Sequence, residues 1–108
     1  MIRDSIYRGA DAERTLEMWG GVLAGEDKYL YPFRENADIH FDTFHAFELG
    51  LMADYAKRLI TKEHAEKNQY AKTVLSAVSQ AEPVDEALIP NDSLIREFSV
   101  GGIYEEFY

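Results

Sequence analysis

Apolar residues recur at helical spacing over most of this chain, and the polar residues between them mark where each helix begins and ends. In the first segment, Ile2–Ala24, Leu16, Trp19 and Leu23 stand three and four residues apart and form one apolar face. Asp11 is placed to cap the helix that carries them, because its carboxylate can accept from the free amides of the first turn. Gly9 predicts a joint upstream of that cap. Gly20-Gly21 predicts a kink or stop downstream, since each glycine costs a helix about 1 kcal/mol relative to alanine.

The pattern changes over Gly25–Asp42. This stretch begins polar and becomes Tyr29-Leu30-Tyr31-Pro32-Phe33, where Pro32 pushes Tyr31 towards an extended conformation. Ala37, Ile39 and Phe41 then alternate with Asp38 and His40, the period of a strand. A lone strand leaves amides and carbonyls unpaired, so a neighbour is expected, from elsewhere in the chain or from another copy.

A helix is expected next, from Asp42 or Thr43 as cap to about Ile60, with Phe44, Phe47, Leu51, Tyr55 and Leu59 on one face. Thr61 can cap a following helix that runs to about Ala81 and buries Tyr70, Val74, Ala77 or Val78, and Ala81; Pro83 closes it. The short link favours an antiparallel pair. In Glu82–Tyr108 a turn at Pro90-Asn91-Asp92 precedes a short helical or extended piece and an acidic aromatic tail. The sum is a single unit over residues 1–108, mainly α with one or two short β-strands. Its parts are helices over 1–24, a loop and strand over 25–42, a helix pair over 43–81 and a C-terminal extension over 82–108.

Composition narrows the function classes. Hydrophobic residues at 46% and aromatics at 13% supply the burial a folded chain needs, and exclude a disordered class. A net charge of −9 opposes binding to nucleic acid or to an anionic membrane surface. That charge is uneven. Residues 1–34 are close to balance, so an anion-facing arginine is expected only in the N-terminal third. The absence of cysteine removes disulfides and thiolate chemistry and suits a reducing cytoplasm. No apolar run approaches the ~20 residues of a membrane span, and the first residues lack a signal-peptide centre.

Candidate chemistry is sparse. A phosphate-binding loop needs G-x-x-x-x-G-K-[ST], yet none of the seven glycines precedes a lysine, so transfer of a nucleotide phosphate by this chain alone is not expected. His40, His45 and His64, with Glu48 three residues after His45, lack the spacing of a metal site, and no metal is assigned. Asp38 and Asp42 read as a solvated acidic face rather than an acid–base pair. Tyr29, Tyr31 and Phe33 read as core anchors rather than a base-stacking platform.

Three stretches together resemble the C-terminal region of uridine kinase-like nucleoside kinases, within the phosphoribulokinase/uridine kinase family. Ile2 to Leu16 resembles the family's lid, in which an Arg-Asp pair (Arg3-Asp4) is followed by an Arg-Gly pair (Arg8-Gly9), an acidic residue (Asp11) and a leucine (Leu16). Gly25 to Ile39 is similar to the stretch entering the family's late strand, with Ala37-Asp38 as its Ala-Asp pair. Ser93 to Phe98, followed by Gly101-Gly102, resembles the C-terminal signature of the bacterial branch. Two departures stand out: the P-loop, general base and magnesium ligands that precede the lid in the family are absent, and Ala10 stands where uridine kinases commonly carry another arginine.

The resemblance implies a C-terminal fragment or split half of an α/β P-loop kinase fold. It implies Arg3 and Arg8 as phosphate-binding lid residues, because a planar guanidinium can hold two oxygens of a transferring phosphate at once. ATP and magnesium are implied for the intact enzyme, with a nucleoside as acceptor; no catalytic residue and no bound cofactor are expected in this chain alone. The expected partner is an N-terminal P-loop half or a second copy in a homodimer. The alternative expectation is a non-catalytic helical module, derived from such a kinase, that self-associates or binds a partner.

Overall fold

Asp11 caps as its position predicts: its Oδ1 accepts from the Arg14 amide at 2.7 Å and starts a helix that runs to Tyr29. The computed structural model in which this is seen describes residues 1–107. Its α-helices are α1 (Ile2–Tyr7), α2 (Ala12–Tyr29), α3 (Glu48–Leu59), α4 (Lys62–Lys67) and α5 (Gln69–Gln80), with short 3₁₀ turns at Tyr31–Asn36, Glu86–Leu88, Leu94–Phe98 and Glu105–Phe107. The mainly α reading therefore holds. Among the described residues there is no strand, so the strand expected at Ala37–Phe41 is not formed. No neighbouring segment supplies the ladder that its alternating pattern requires, and Asp38 sits at a bend.

Three further boundaries differ from expectation. Gly20-Gly21 does not end α2, which continues to Tyr29; Gly20 faces α5, where an added methyl would stand 3.5 Å from the Tyr70 hydroxyl. The α3 helix begins at Glu48 rather than at Asp42 or Thr43. Asp42 instead accepts from the Phe44 amide at 2.9 Å in a local turn, and Phe44 is left exposed. The helix expected from Thr61 to Ala81 is split. Thr61 and His64 form a reciprocal capping box at its start, but Asn68 interrupts it and caps a new helix by accepting from the Tyr70 and Ala71 amides.

Packing is built on α3 and α5. Ala53 and Ala56 of α3 meet Val78 of α5, small residues that let the two helices approach closely. Leu16 of α2 packs with Ile60 and Ala71, which fixes the first half of α2 on this pair. On the other side of α3, Leu51 packs with Ile89 and Ile95 of the C-terminal extension. Arg96 pins that extension. Its guanidinium donates to the carbonyls of Ile89 at 2.6 Å, Glu86 at 2.8 Å and Val100 at 2.8 Å, and to Glu86 Oε1 at 2.9 Å. The turn expected at Pro90-Asn91-Asp92 is present, closed by the Ser93 amide on the Pro90 carbonyl at 3.2 Å.

Candidate functional site

The joint between α1 and α2 brings the N-terminal cations to the surface. Gly9 adopts φ +61°, a left-handed conformation that a side chain would strain, and it turns the chain from α1 into the Asp11 cap. Beside this joint lies a groove of about 510 Å³, whose charged lining is Asp4, Arg8 and Arg14 and whose large apolar lining includes Met18, Trp19 and Val22. It continues into a smaller apolar hollow of about 130 Å³ that reaches Leu16, Ile60 and Val74. Trp19, on the apolar face that carries Leu16, is 40% exposed and lines both.

Arg3 and Arg8 are not brought together over an open space. Arg3 turns to the C-terminal extension, where Nη1 donates to Glu97 Oε1 at 2.6 Å and the guanidinium lies 5.3 Å from the centre of the Phe98 ring. The hydrogen bond to Glu97 is the main cause of a raised Arg3 pKa. Arg8 is more exposed and donates to Asp4 Oδ1 at 3.3 Å. Asp4 stands between the two arginines, 3.6 Å from Arg3 Nε. Burial raises its carboxyl, but the N-terminal ammonium, Arg3 and Arg8 outweigh that and hold it below the usual carboxylate value. Arg14, not singled out by the sequence motif, has no ion-pair partner among the described residues and is the freer cation of the groove.

The other candidates are dispersed. The His40 ring lies 3.0 Å from the Arg34 carbonyl, His45 lies 3.9 Å from Glu48, and His64 serves the Thr61 capping box. Among the described residues no three His, Cys, Asp or Glu side chains converge as a metal set would. Asp38 and Asp42 are exposed and line none of the grooves described here. Tyr29, the last residue of α2, and Tyr31 and Phe33, in the 3₁₀ turn that follows it, are exposed rather than core anchors. No described helix is long and apolar enough to cross a membrane.

Sequence reasoning missed Arg14 and Arg96. Arg14 follows Asp11 by three residues at the start of an amphipathic helix, and that spacing alone places it beside the joint; Arg96 has no local signal, because its acceptors are assembled by the fold. Comparison of the chain with protein-family models, with curated proteins and with solved structures gives no match.

Proposed function

We propose that this chain is the lid and nucleoside-side portion of a uridine kinase-like P-loop kinase, catalysing ATP-dependent phosphorylation of a nucleoside only together with a phosphate-binding half. The observation that carries the reading is the groove beside the Gly9 joint, whose lining combines Arg8, Arg14 and Asp4 with Trp19. Of the two arginines in the lid-like motif, Arg8 is the one free to turn to a phosphate. Its pairing with Asp4 is exposed, and such pairs are worth roughly 0–1 kcal/mol, so an incoming triphosphate can displace the carboxylate cheaply. Arg3 holds α1 to the C-terminal extension, and Arg8 follows directly as the C-cap of that helix. ATP, magnesium and the acceptor nucleoside belong to the combined site; this chain supplies charge stabilisation for the transferring group.

The test begins upstream of the Met1 codon. An in-frame segment with a Walker A loop is expected, and the continuous product should phosphorylate uridine with ATP and magnesium while residues 1–108 alone do not. In that product Arg8→Ala should lower kcat on the order of 10²-fold, and Arg8→Lys should not restore it. A stop with no such segment upstream, or turnover by residues 1–108 alone, sinks the reading.

A second reading, a helical self-association module derived from such a kinase, is favoured by a different observation. The chain exposes 8080 Å², whereas a self-sufficient monomer of 12.4 kDa exposes about 6,100 Å². The excess is of the order that one partner contributes to an obligate dimer, roughly 1,000–2,500 Å². The radius of gyration, 15.4 Å, likewise exceeds the value of about 13 Å expected for this length.

A further inference from the structure

Residues 27–44 are an unbroken run of exposed positions. Large apolar side chains are concentrated there, with Ile39 73% and Phe41 87% exposed, and such a concentration on one segment marks a surface that is covered when the protein works. The second half of this run is also acidic: Glu35, Asp38 and Asp42 lie within residues 35–44, which contain no lysine or arginine.

A complementary surface exists elsewhere on the same chain. Helices α4 and α5 enclose a groove of about 580 Å³ with Ala65 and Leu75 as its apolar floor and Lys62, Lys67 and Lys72 on its rim. Ala65 and Leu75 also pack against the Leu16, Ile60 and Ala71 cluster, so the floor is held by the core. Lys67 is engaged by Glu63 at 2.6 Å, while Lys62 and Lys72 have no ion pair among the described residues. Glu66 is the acidic residue of the lining, which leaves the groove locally positive in a chain of net charge −9.

We infer that this groove receives residues 35–44 of a second copy, with Phe41 on the Ala65 and Leu75 floor and Asp38 and Asp42 towards Lys62 and Lys72. The inference rests on the self-association reading and is independent of the kinase reading, since the Arg8 groove stays open. Three considerations commit the occupant to a second copy. The charges are opposite, the aromatic anchor has an apolar floor to meet, and reciprocal exchange of the two segments about a two-fold axis covers both arms at once and closes the assembly. The excess exposed surface of about 2,000 Å² per chain is of the size such an exchange would cover.

The experiment is sedimentation of the full chain over a dilution series, with far-UV circular dichroism of each variant to verify folding. The parent should be a dimer. Phe41→Asp and, separately, Lys72→Glu should each raise the dissociation constant about tenfold or more, and Asp42→Lys combined with Lys72→Glu should recover most of that loss. Both positions are exposed, so the helical spectrum should be unchanged. Arg14→Glu, which alters the other groove, should leave the dimer as it is. A monomer at every concentration overturns the inference together with the self-association reading. A dimer weakened by Phe41→Asp but indifferent to Lys72→Glu, or one lost in Arg14→Glu, overturns the groove assignment while self-association stands.

Discussion

Arg96→Ala should be among the most damaging single substitutions in this chain. The side chain is 8% exposed and spends its donors on three carbonyls at 2.6–2.8 Å, those of Glu86, Ile89 and Val100, and on the Glu86 carboxylate at 2.9 Å. Truncation leaves these acceptors facing a void. Each orphaned carbonyl costs roughly 1 kcal/mol, and the partly exposed ion pair adds about 1 kcal/mol, so the loss is about 4 kcal/mol. At least about a quarter of the stability is at stake, since natural domains are stable by only about 5–15 kcal/mol. Urea unfolding followed by circular dichroism reads the effect directly: with a slope of roughly 1–1.5 kcal/mol per M, the midpoint should fall by about 3 M. Arg96→Lys should be nearly as harmful, because an ammonium cannot reach acceptors spread around a planar fork. Glu86→Gln should cost only about 1 kcal/mol, because it keeps an acceptor and removes only the charge. A midpoint shift below about 1 M for Arg96→Ala, or equal damage from Glu86→Gln, would refute the view that the carbonyl acceptors dominate.

Backbone crowding, helix caps and the Asp4 carboxylate carry smaller effects. Gly50→Ala should destabilise by about 2 kcal/mol or more, because the added methyl would stand 2.4 Å from the Glu82 carbonyl oxygen, whereas Gly21→Ala, with nothing within 4 Å, should stabilise α2 by about 0.5–1 kcal/mol; thermal melting of the pair gives opposite signs. Asn68→Ala should cost about 1–2 kcal/mol in urea unfolding, since it removes the α5 cap and the 3.3 Å bond to the Leu16 carbonyl. Asp4 has a folded-state pKa held below the ordinary carboxylate value, so its contribution is present above the unfolded pKa and is lost as pH falls through the folded value; Asp4→Asn should flatten the acid limb of the stability–pH curve, read by urea unfolding at a series of pH values.

What the sequence made legible were the features closed within one or two helical turns. Asp11 and Thr61 were readable as caps because their partners, Arg14 and His64, lie three residues on, and Leu16 and Leu51 were readable as core because their spacing puts them on an apolar stripe, whereas spacing left Ala77 and Val78 as alternatives that the fold decides for Val78. Readings failed where the deciding partner is distant. Gly20-Gly21 looks like a stop until Tyr70 packs beside it, and Asn68 looks like an ordinary helix residue until its amide reaches Leu16. The alternation at Ala37–Phe41 is a real local preference, but a strand requires a second strand, and the described chain provides none.

The two lid-like arginines make the same point within five residues. Arg3 lies in α1 and Arg8 caps its C-terminal end, with identical chemistry, yet Arg3 is held by Glu97, ninety-four positions away, and Arg8 only by the nearby Asp4. A motif specifies the residue type that a phosphate site needs; the fold decides which of those residues stays exchangeable. The strength of the competing carboxylate is therefore the property that separates an anchoring guanidinium from an available one. By that measure Arg8, with its 3.3 Å exposed contact, and Arg14, with no ion-pair partner among the described residues, are the loosely held cations of the α1–α2 groove, whereas Arg3 is already committed to holding α1 on the extension that Arg96 pins.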